Sequence, residues 1–519
     1  MIKKFNILNF VVILLFLGLT TSINAQRIVN VAQGLGTLNE AIDSDTTATG
    51  ERVDENTIYV LQRDGYYLTT DVISNSGWPL RIQTADGAGN RPIVQPAVLE
   101  GGVSTYPFRP KGDFYLTGVY LTNMDQDGVL IERPIRASAD SITIVIDDCQ
   151  IDFAGQAAMR IDNPWNNIII TNSIIGNMGR MSSPANGRGI DDRGNAIDKL
   201  IMRNNTIYNL TMTIVRDGGG IINYADVDHN TIVNVAQFGI HFGEIIEVHF
   251  TNNIMLNPGF LGATGDESRS AIIVSPLGED LVNQGVEQIV DIDYNNFYSD
   301  PALTDAHPDS VHAVPLFDST TTALMEVAGT GSHNIEEAIA FTDGPDSPVN
   351  VITSFYNNSV PLEEKENMDD GGGGPVPGSG VPVQLPFDFA YSSSLQSYTA
   401  SSTGEQLGSL TWFGITVGVE RDPNEIPTDF ELSNNYPNPF NPSTIIKYAI
   451  PANANVRLTV YNMLGEEVRT LVNQNQATGS YSVTWDGTTN YGTQVASGMY
   501  IYRLAAGDFV SVKKMLLMK

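Results

Sequence analysis

A five-residue phrase recurs through the middle of the chain and constrains its fold more than any other feature. It reads DDCQI, ITNSI, RNNTI, DHNTI and TNNIM between residues 147 and 255, and it returns once more as YNNFY. Steps of 23, 33, 25 and 23 residues separate the aligned third positions, Cys149, Asn172, Asn205, Asn230 and Asn253. Such steps are typical of solenoid coils, because one repeat buries its apolar face only by stacking on its neighbours.

Each coil contains three short β-rich runs. The first ends at the aligned residue, the second follows at once, as in TIYN, and the third follows after a turn, as in TIVRD. Asparagine suits the bend between the first two runs, because it tolerates left-handed backbone and its amide can bond the coils above and below. A second column of asparagines follows four residues later, at Asn209, Asn234 and Asn257. We predict an all-β fold built on a right-handed parallel β-helix with asparagine ladders.

Alternation along the first run predicts which side chains face the core, because successive residues of a strand point to opposite faces. We expect one aligned set to point inward, namely Ile169, Met202, Val227 and Phe250. The set that follows it should point outward, namely Ile170, Arg203, Asp228 and Thr251. Adjacent coils lie about 4.8 Å apart, so Arg203 and Asp228 are expected to pair across the surface.

The middle of the chain resembles the pectin-lyase-like family of right-handed parallel β-helices. The resemblance covers about residues 27–300 and rests on the repeated phrase, the asparagine columns and an opening (GLGTLNEAID, TIYVLQRDGYYL) similar to the N-terminal cap of such helices. It implies that a polysaccharide would lie along the face formed by the third runs. The fold hosts lyases, hydrolases, esterases and non-catalytic adhesins, so it does not by itself name an activity.

The N-terminus predicts export. Lys3 and Lys4 precede an apolar stretch from Phe10 to Leu19, and small or polar residues follow as far as Ala25. This order is typical of a signal peptide, and the apolar run is about half of the ~20 residues that a membrane span needs. We therefore expect cleavage after residue 25 and no transmembrane segment. The single cysteine, Cys149, is expected to pack as a small apolar group.

The C-terminal region, residues 428–519, has a different composition. Short alternating strands separated by Gly, Pro, Asn and Asp predict a small β-sandwich. The segments NYPNPFNPST, VYNMLGEEV, WDG, SGMYIYRL and KKMLLMK closely resemble the type A sorting domain of type IX secretion. The resemblance implies the type IX machinery as a partner, passage across the outer membrane of a Gram-negative bacterium, and a secreted or cell-surface location.

Two further intervals complete the predicted organisation. Residues 26–345 would form the β-helix with its N-terminal cap, and residues 346–427 a Gly/Pro-rich linker followed by an aromatic segment. The apolar rings of that segment, in LPFDFAYSSSLQSYTASSTGEQLGSLTWFG at 385–414, need a surface to cover. We expect them to pack back on the last coil.

The charge balance restricts the partners. The chain has 28 Lys and Arg against 59 Asp and Glu, a net charge of −31, which argues against nucleic acid or an anionic membrane surface. The acidity is sufficient to keep an exported protein soluble, and it also leaves room for Ca²⁺. We expect a monomer.

The third runs carry the best candidate site. Aligned, they read MRIDN at 159–163, GIDDR at 189–193, IVRDG at 214–218 and GIHFG at 239–243, which gathers charged residues on one face. The loop at 177–188 enters this face and would form one wall of a groove, with Arg188 and Lys199 near its rim.

Lyase chemistry on a uronic acid needs cations that neutralise the sugar carboxylate and a base that removes the α-proton. Arg193 or Arg216 would neutralise charge, and Lys199 or His241 would act as base. Oxygen ligands suit Ca²⁺, and the expected ligands are Asp162, Asp191 and Asp217. The expected substrate-binding residues are Arg160, Arg188 and Trp165.

Two alternatives stay open. A glycoside hydrolase would use two carboxylates of this face as acid and base across the glycosidic bond. A carbohydrate-binding, adhesive or structural surface protein would use the same charges as ion pairs, without turnover. The leading hypothesis is a secreted or cell-surface β-helix that engages polysaccharide along this face, with a Ca²⁺-assisted lyase as its catalytic form.

Overall fold

The computed structural model describes two compact units, Met1–Val417 and Gly418–Lys519. Residues 27–517 are described apart from 101, 104–105, 182, 217, 265–269, 358–386, 415–429 and short gaps in the C-terminal unit at 433–434, 436–443, 451–453, 464–466, 477–478, 486, 490–493 and 508. The predicted signal peptide and the Gly-rich part of the predicted linker lie outside the described residues. No described helix is long and apolar enough to cross a bilayer.

The first unit is a parallel β-solenoid, which confirms the predicted all-β fold. Its first sheet has eleven strands: Ile28–Val31, Ile58–Leu61, Leu80–Thr84, Phe114–Thr117, Thr143–Asp147, Asn166–Thr171, Ile197–Arg203, Ile222–Asp228, Ile240–Thr251, Ile272–Ser275 and Ile289–Asp293. The second sheet has ten: Gly34–Leu35, Tyr66–Thr69, Ile93–Pro96, Tyr120–Thr122, Gln150–Ala154, Ile174–Met178, Thr206–Leu210, Thr231–Val235, Ile254–Pro258 and Asn296–Tyr298. The third sheet has four: Ile135–Ala137, Ala157–Ile161, Arg188–Asp191 and Thr213–Arg216.

The three sheets enclose one apolar core, because each strand sends alternate side chains inward. Ile170, Met202, Val227 and Phe250 form one such inward row and are paired in register across successive coils. The prediction that Ile169 belongs to this row was therefore wrong by one residue. Cys149 is fully buried in the same core, as predicted, and burial raises the pKa of its thiol to about 12.

Helices and short strand pairs complete the unit. Leu38 and Ile42 of α1 (Thr37–Asp43) enter the core beside the first strands, and Met325 of α4 (Ser319–Ala328) does so beside the last strands of the first sheet. The other helices are α2 (Glu279–Asn283), α3 (Pro301–Ala306) and α5 (Val349–Asn357), with short 3-10 turns at Gln396–Tyr398 and Leu410–Phe413. The pairs are Val98–Leu99 with Gly102–Val103, Ala263–Thr264 with Val311–His312, and Phe341–Asp343 with Asp388–Tyr391.

Two adjacent columns of residues form the bend between the first and second sheets. The first column has left-handed backbone, with φ between 50° and 58°, at Asp148, Asn172, Asn204, His229, Asn252 and Tyr294. The second column is the hydrogen-bonded ladder, in which each side-chain oxygen accepts from the preceding coil's backbone N–H, through Ser173, Asn205, Asn230, Asn253, Asn295 and Asn334. The sequence predicted that one asparagine both adopts left-handed backbone and bonds the adjacent coils. In the structure, the first column has the left-handed backbone and the second column makes the hydrogen bonds. Asn172 belongs to the first column, which corrects its alignment with Asn205.

The further asparagine column is confirmed as a second ladder. The Asn234 amide donates to Asn209 Oδ1 at 3.2 Å, and the Asn257 amide donates to Asn234 Oδ1 at 2.9 Å. All three residues have left-handed backbone and are buried. These amides therefore satisfy one another inside the fold and hold adjacent coils in register.

Residues 387–414, here called the strap, pack across the outer face of the second sheet. Phe389, Tyr391 and Leu407 form an apolar cluster with Tyr208, Val233, Ile254 and Leu256, which lie on three successive strands of that sheet. The sequence predicted packing on the last coil, and the structure places the contact along several coils. Within the predicted 346–427 interval, α5 also packs on the solenoid, against a cluster that contains Leu261 and Leu303.

The C-terminal unit is a two-sheet antiparallel sandwich. One sheet contains Glu431–Leu432, Thr444–Ile450 and Gly479–Trp485, and the other, in spatial order, Glu467–Gln476, Ala454–Tyr461, Gly498–Ala506 and Phe509–Leu517. Side chains from both sheets form one core around Trp485 and Tyr502, which are fully buried.

Candidate functional site

The third sheet places a column of charged side chains on successive coils. Arg136, Arg160, Asp191 and Arg216 are paired in register, one from each of its four strands. The strands alternate, so their neighbours Ile135, Met159, Ile190 and Val215 point into the core. The predicted gathering of Arg160, Asp191 and Arg216 on one face is therefore what the structure shows.

Asp162 follows this column and joins two of its arginines. Its Oδ1 accepts from Arg160 Nε at 2.6 Å, and its Oδ2 accepts from Arg136 Nε. Partial burial raises the pKa of Asp162, but the hydrogen bonds from Arg136 and Arg160 outweigh it and leave that pKa below its ordinary value. The carboxylate is thus ionised and shared by two guanidinium groups.

Asp191 repeats this arrangement on the following coils. Its Oδ2 lies 3.2 Å from Arg188 Nη1, and its Oδ1 lies 3.2 Å from Arg216 Nη1. The Arg188 side chain is only 8% exposed, and burial, together with neighbouring arginines, lowers the pKa of its guanidinium. Asp191 therefore has one buried cationic partner, Arg188, and one partly exposed partner, Arg216.

Asp162 and Asp191, two of the three expected calcium ligands, form ion pairs with arginines. Both oxygens of Asp162 and both oxygens of Asp191 face arginine donors, which compete with a cation for the same lone pairs. Asp217 lies outside the described residues. No group of three or more His, Cys, Asp or Glu in the described part of the chain is arranged to hold a metal ion. The calcium site stays a prediction.

The other predicted site residues lie on different elements, although the strand of His241 stacks on the last strand of the third sheet. Lys199 lies on the first sheet, where it pairs in register with Asn167 and Tyr224. His241 lies in Ile240–Thr251, paired with Ile273. Arg193 is exposed on the turn after the third-sheet strand, with φ of 58°. Trp165 is 44% exposed on the turn that precedes a first-sheet strand.

The predicted wall of a groove, residues 177–188, is a closed loop. Gly179 and Gly187 both have left-handed φ values, and a Cβ on Gly179 would lie 2.5 Å from the Gly187 Cα. The two ends of the loop therefore touch, and Met181 at its tip is buried against α5 and the Phe260–Leu261 turn. The loop packs on the solenoid beside Arg188.

Sequence reasoning missed one member of the charged face. Arg136 is the first residue of the column and binds Asp162 from the preceding coil. Its run, PIRAS, lacks the aspartate that is present in three of the four aligned third runs, MRIDN, GIDDR and IVRDG. Adding Arg136 changes the balance: among the described residues, Arg136, Arg160, Arg188 and Arg216, here called the arginine strip, form ion pairs with Asp162 and Asp191. Asp217, which follows Arg216, lies outside the described residues.

Sequence reasoning also missed a cluster on the outer face of the first sheet. His249 Nε2 lies 2.9 Å from Glu247 Oε1, and its Nδ1 lies 3.2 Å from Asp291 Oδ2 on the next coil. The hydrogen bond to Asp291, helped by Glu247 and opposed by burial, raises the pKa of His249 to about 9. An alignment of the outward-facing positions of the first runs would have placed His249 beside Asp226, and the strand register pairs these two residues.

Arg203 and Asp228, which were predicted to pair, are opposite each other in the strand register, and Arg203 also reaches Asp226. Arg203 donates to Asp226, which also accepts from the Tyr224 hydroxyl at 3.3 Å. Asp228, the expected partner of Arg203, accepts from Thr251 and Asn252 and contacts His229 Nδ1 at 2.7 Å. The charged groups of this part of the face are therefore paired with one another, and His249 is a cation between the carboxylates of Glu247 and Asp291.

Comparisons with known proteins are limited to part of the chain. Residues 441–508 match the FlgD Ig-like domain family. Two solved structures from Porphyromonas gingivalis are similar to small parts. Dimeric latent PorU is 21% identical, covering 20% of this chain and 10% of that chain, with a TM-score of 0.16. PorZ, described as an essential surface component of the type-IX secretion system, is 13% identical, covering 23% of this chain and 14% of that chain, with a TM-score of 0.14. No curated protein shows significant similarity to the chain.

Proposed function

We propose that this protein binds an anionic polysaccharide along the third sheet, without turnover. The observation that carries the proposal is the ratio of charges among the described residues of that face: four arginines form ion pairs with two aspartates, Asp162 and Asp191. The arginine strip is thus positively charged within a chain whose net charge is −31. An excess of arginine held in place on an acidic protein favours an anionic ligand.

The geometry suits a linear polymer with repeated acidic groups. Guanidinium groups form bidentate, charge-assisted hydrogen bonds with carboxylate or sulfate oxygens. Arg136, Arg160 and Arg216 have partly exposed side chains, and the shared aspartates hold them in fixed positions. Successive coils lie about 4.8 Å apart, so the strip offers cations at repeated intervals along the solenoid axis.

Binding is better supported than lyase chemistry. Elimination needs a base beside the cations that acidify the α-proton, and Lys199 lies on a different sheet from the arginine strip. Asp162 and Asp191 are engaged by arginines, so neither is poised as the acid or base of a hydrolase. Of the two predicted bases, His241 is the one that the lyase hypothesis still depends on, and it lies on the strand that follows the third sheet.

We also infer that the protein is exported to the cell surface or medium of a Gram-negative bacterium, by the type IX route. The support is the signal-peptide pattern of residues 1–25 and the sorting-domain motifs between residues 435 and 519. Of these motifs, SGMYIYRL is fully described and lies almost entirely in the strand Gly498–Ala506 of the antiparallel sandwich. Deleting residues 428–519 should retain the chain in the periplasm of a type IX-competent host, as measured by cell fractionation. Unchanged release would contradict this route.

The binding proposal is tested with the mature chain and polygalacturonate in affinity electrophoresis. Retardation is expected with polygalacturonate and not with a neutral glucan, and Arg160→Ala with Arg216→Ala should remove most of it. Arg81→Ala, a first-sheet arginine that lies over the Tyr115 ring, is the matched control and should change nothing. Retardation that survives the double substitution would contradict the proposal, and unsaturated sugar products detected by ultraviolet absorbance would restore the lyase.

A further inference from the structure

The outer face of the four-stranded sheet in the C-terminal unit departs from the usual pattern of a solvated sheet. Outward positions of an antiparallel sheet with one buried face are normally polar. Here Met499, Val510 and Val512 point outward and are 43%, 50% and 54% exposed. Residues on the same side include Leu516, which is directly opposite Met499 in the register of the last two strands. Exposed aliphatic side chains are thus concentrated on one face.

Cations are interleaved with these aliphatic residues. Arg503 is opposite Val512, and Lys514 is opposite Ile501, so each cation has an apolar neighbour on the adjoining strand. Arg457 lies on the next strand, opposite Ala505, and its guanidinium is 2.9 Å from Glu467. The described part of this face therefore has three cations and one carboxylate.

The charge of this unit differs from that of the rest of the chain. The unit Gly418–Lys519 has eight Lys and Arg and nine Asp and Glu, a net of −1 within a total of −31. From residue 430 onward the counts are seven and five, a net of +2. The whole-chain charge predicted that anionic membrane surfaces are unsuitable partners. That argument does not extend to this unit, because exposed charges farther apart than about 8 Å are largely screened at physiological salt.

We propose that this face, defined by Arg457, Met499, Arg503, Val510, Val512 and Lys514, docks on a membrane surface that presents anionic lipid headgroups. Cations with aliphatic stems and short apolar side chains on one side are the combination that binds such a surface reversibly. Charge complementarity favours lipid over a second copy, because a second copy would bring the same excess of cations to the contact. Each lysine or arginine near an anionic bilayer strengthens partitioning about fivefold.

The test uses the full mature chain and co-sedimentation with vesicles. Binding is expected to vesicles that contain phosphatidylglycerol, absent with phosphatidylcholine alone, and weakened by salt. Lys514→Glu should weaken partitioning about tenfold or more, since it replaces an attraction by a repulsion. Lys111→Glu, an exposed lysine of the solenoid, makes the same change of charge and should have little effect. Near-ultraviolet circular dichroism verifies that each variant is folded.

A second variant tests the apolar contribution. Val512→Thr keeps the shape of the side chain and should weaken partitioning several-fold without changing net charge. Equal partitioning to both kinds of vesicle, no binding to either, or equal effects of Lys111→Glu and Lys514→Glu would overturn the proposal. Photo-crosslinking of position 512 to a protein, in a chain that binds neither kind of vesicle, would overturn the proposal in favour of a protein partner.

Discussion

The outer faces of the second and third sheets belong to the same coils but differ in what they present. On the second sheet, the register aligns Tyr208, Val233 and Leu256, and the strap buries all three. On the third sheet, the aligned positions are Arg160, Asp191 and Arg216, which form ion pairs with partly exposed arginines. The backbone hydrogen bonding is equivalent in both sheets. The difference teaches that the covering of a face, not its strand structure, accounts for its composition.

The strap is held by the same turn residues that bend the coils. Asn204 Oδ1 accepts from the Leu410 backbone N–H at 2.5 Å, and Asn252 accepts from the Gly408 N–H through its carbonyl at 2.8 Å. Trp412 Nε1 donates to Thr206 Oγ1 at 2.7 Å. Backbone groups of an irregular segment need such partners when they are buried. The left-handed asparagines therefore bend the solenoid and anchor its cover.

The largest expected effect separates covered from open surface. Leu407→Ala removes a fully buried side chain from the apolar cluster under the strap and should cost about 3 kcal/mol of unfolding free energy. Val327→Ala, at a position that is 90% exposed on α4, is the control and should cost little. Urea unfolding measures both, and equal midpoints would show that the strap does not contribute to stability.

A smaller effect tests how closely the strap approaches the second sheet. Gly408 and Gly404 both have φ near 75–80°, but a Cβ on Gly408 would lie 2.5 Å from Thr231 Oγ1, whereas a Cβ on Gly404 would meet nothing within 4 Å. Both alanine substitutions carry the same backbone strain. Gly408→Ala should therefore be less stable than Gly404→Ala by about 2 kcal/mol, the cost of overpacking. Thermal unfolding of the pair measures the difference, and identical melting temperatures would contradict the close approach.

On the third sheet, Asp162→Asn should cost about 1 kcal/mol at neutral pH, because partly exposed ion pairs contribute modestly. The sign of the pH dependence follows from the lowered pKa of Asp162 in the folded state. Its contribution is complete above the ordinary aspartate pKa of about 3.9 and is lost as pH falls through the lower folded value. The stability difference between wild type and variant should therefore shrink only in that acid range. A difference that stays constant down to pH 2 would contradict the ion pairs.

The smallest expected effect on stability is that of Arg216→Ala. Its side chain is 32% exposed, and Asp191 keeps Arg188 as a partner, so the cost should be about 0.5 kcal/mol or less. The same substitution should weaken polygalacturonate binding if the arginine strip is the ligand surface. A large loss of stability without loss of binding would show that Arg216 serves the fold.

The repeated phrase predicted the coils because every coil solves the same local problem. Asn205, Asn230 and Asn253 form the predicted ladder, and Asn209, Asn234 and Asn257 the second one. Asn172 was misplaced because ITNSI offers two polar residues at the bend, and the Ser173 hydroxyl takes the ladder position instead. A serine and an asparagine both supply an oxygen there, so spacing alone could not separate them.

The candidate site was predicted in location but not in its pairings. Aligning the third runs placed Arg160, Asp191 and Arg216 on one face, but the alignment set Ile161 beside Asp191, whereas the strand register pairs Arg160 with Asp191. Which arginine reaches which carboxylate depends on side-chain length and on the register between coils, so Arg160 binds Asp162 and Arg188 binds Asp191. Lys199 was assigned to the wrong vicinity because its distance along the chain does not show where the turn between sheets falls.

The sequence by itself therefore determined the solenoid, its ladders and the separate C-terminal sandwich, since these arise from patterns that repeat every coil or every second residue. Only the tertiary structure decided where the strap lies and which faces stay open. The reason is physical: the hydrogen bond from Leu410 to Asn204 joins residues 206 positions apart, and no pattern of period two or of one coil specifies a contact at that separation. Local periodicity encodes the bend at Asn204, but not the segment that this asparagine will hold.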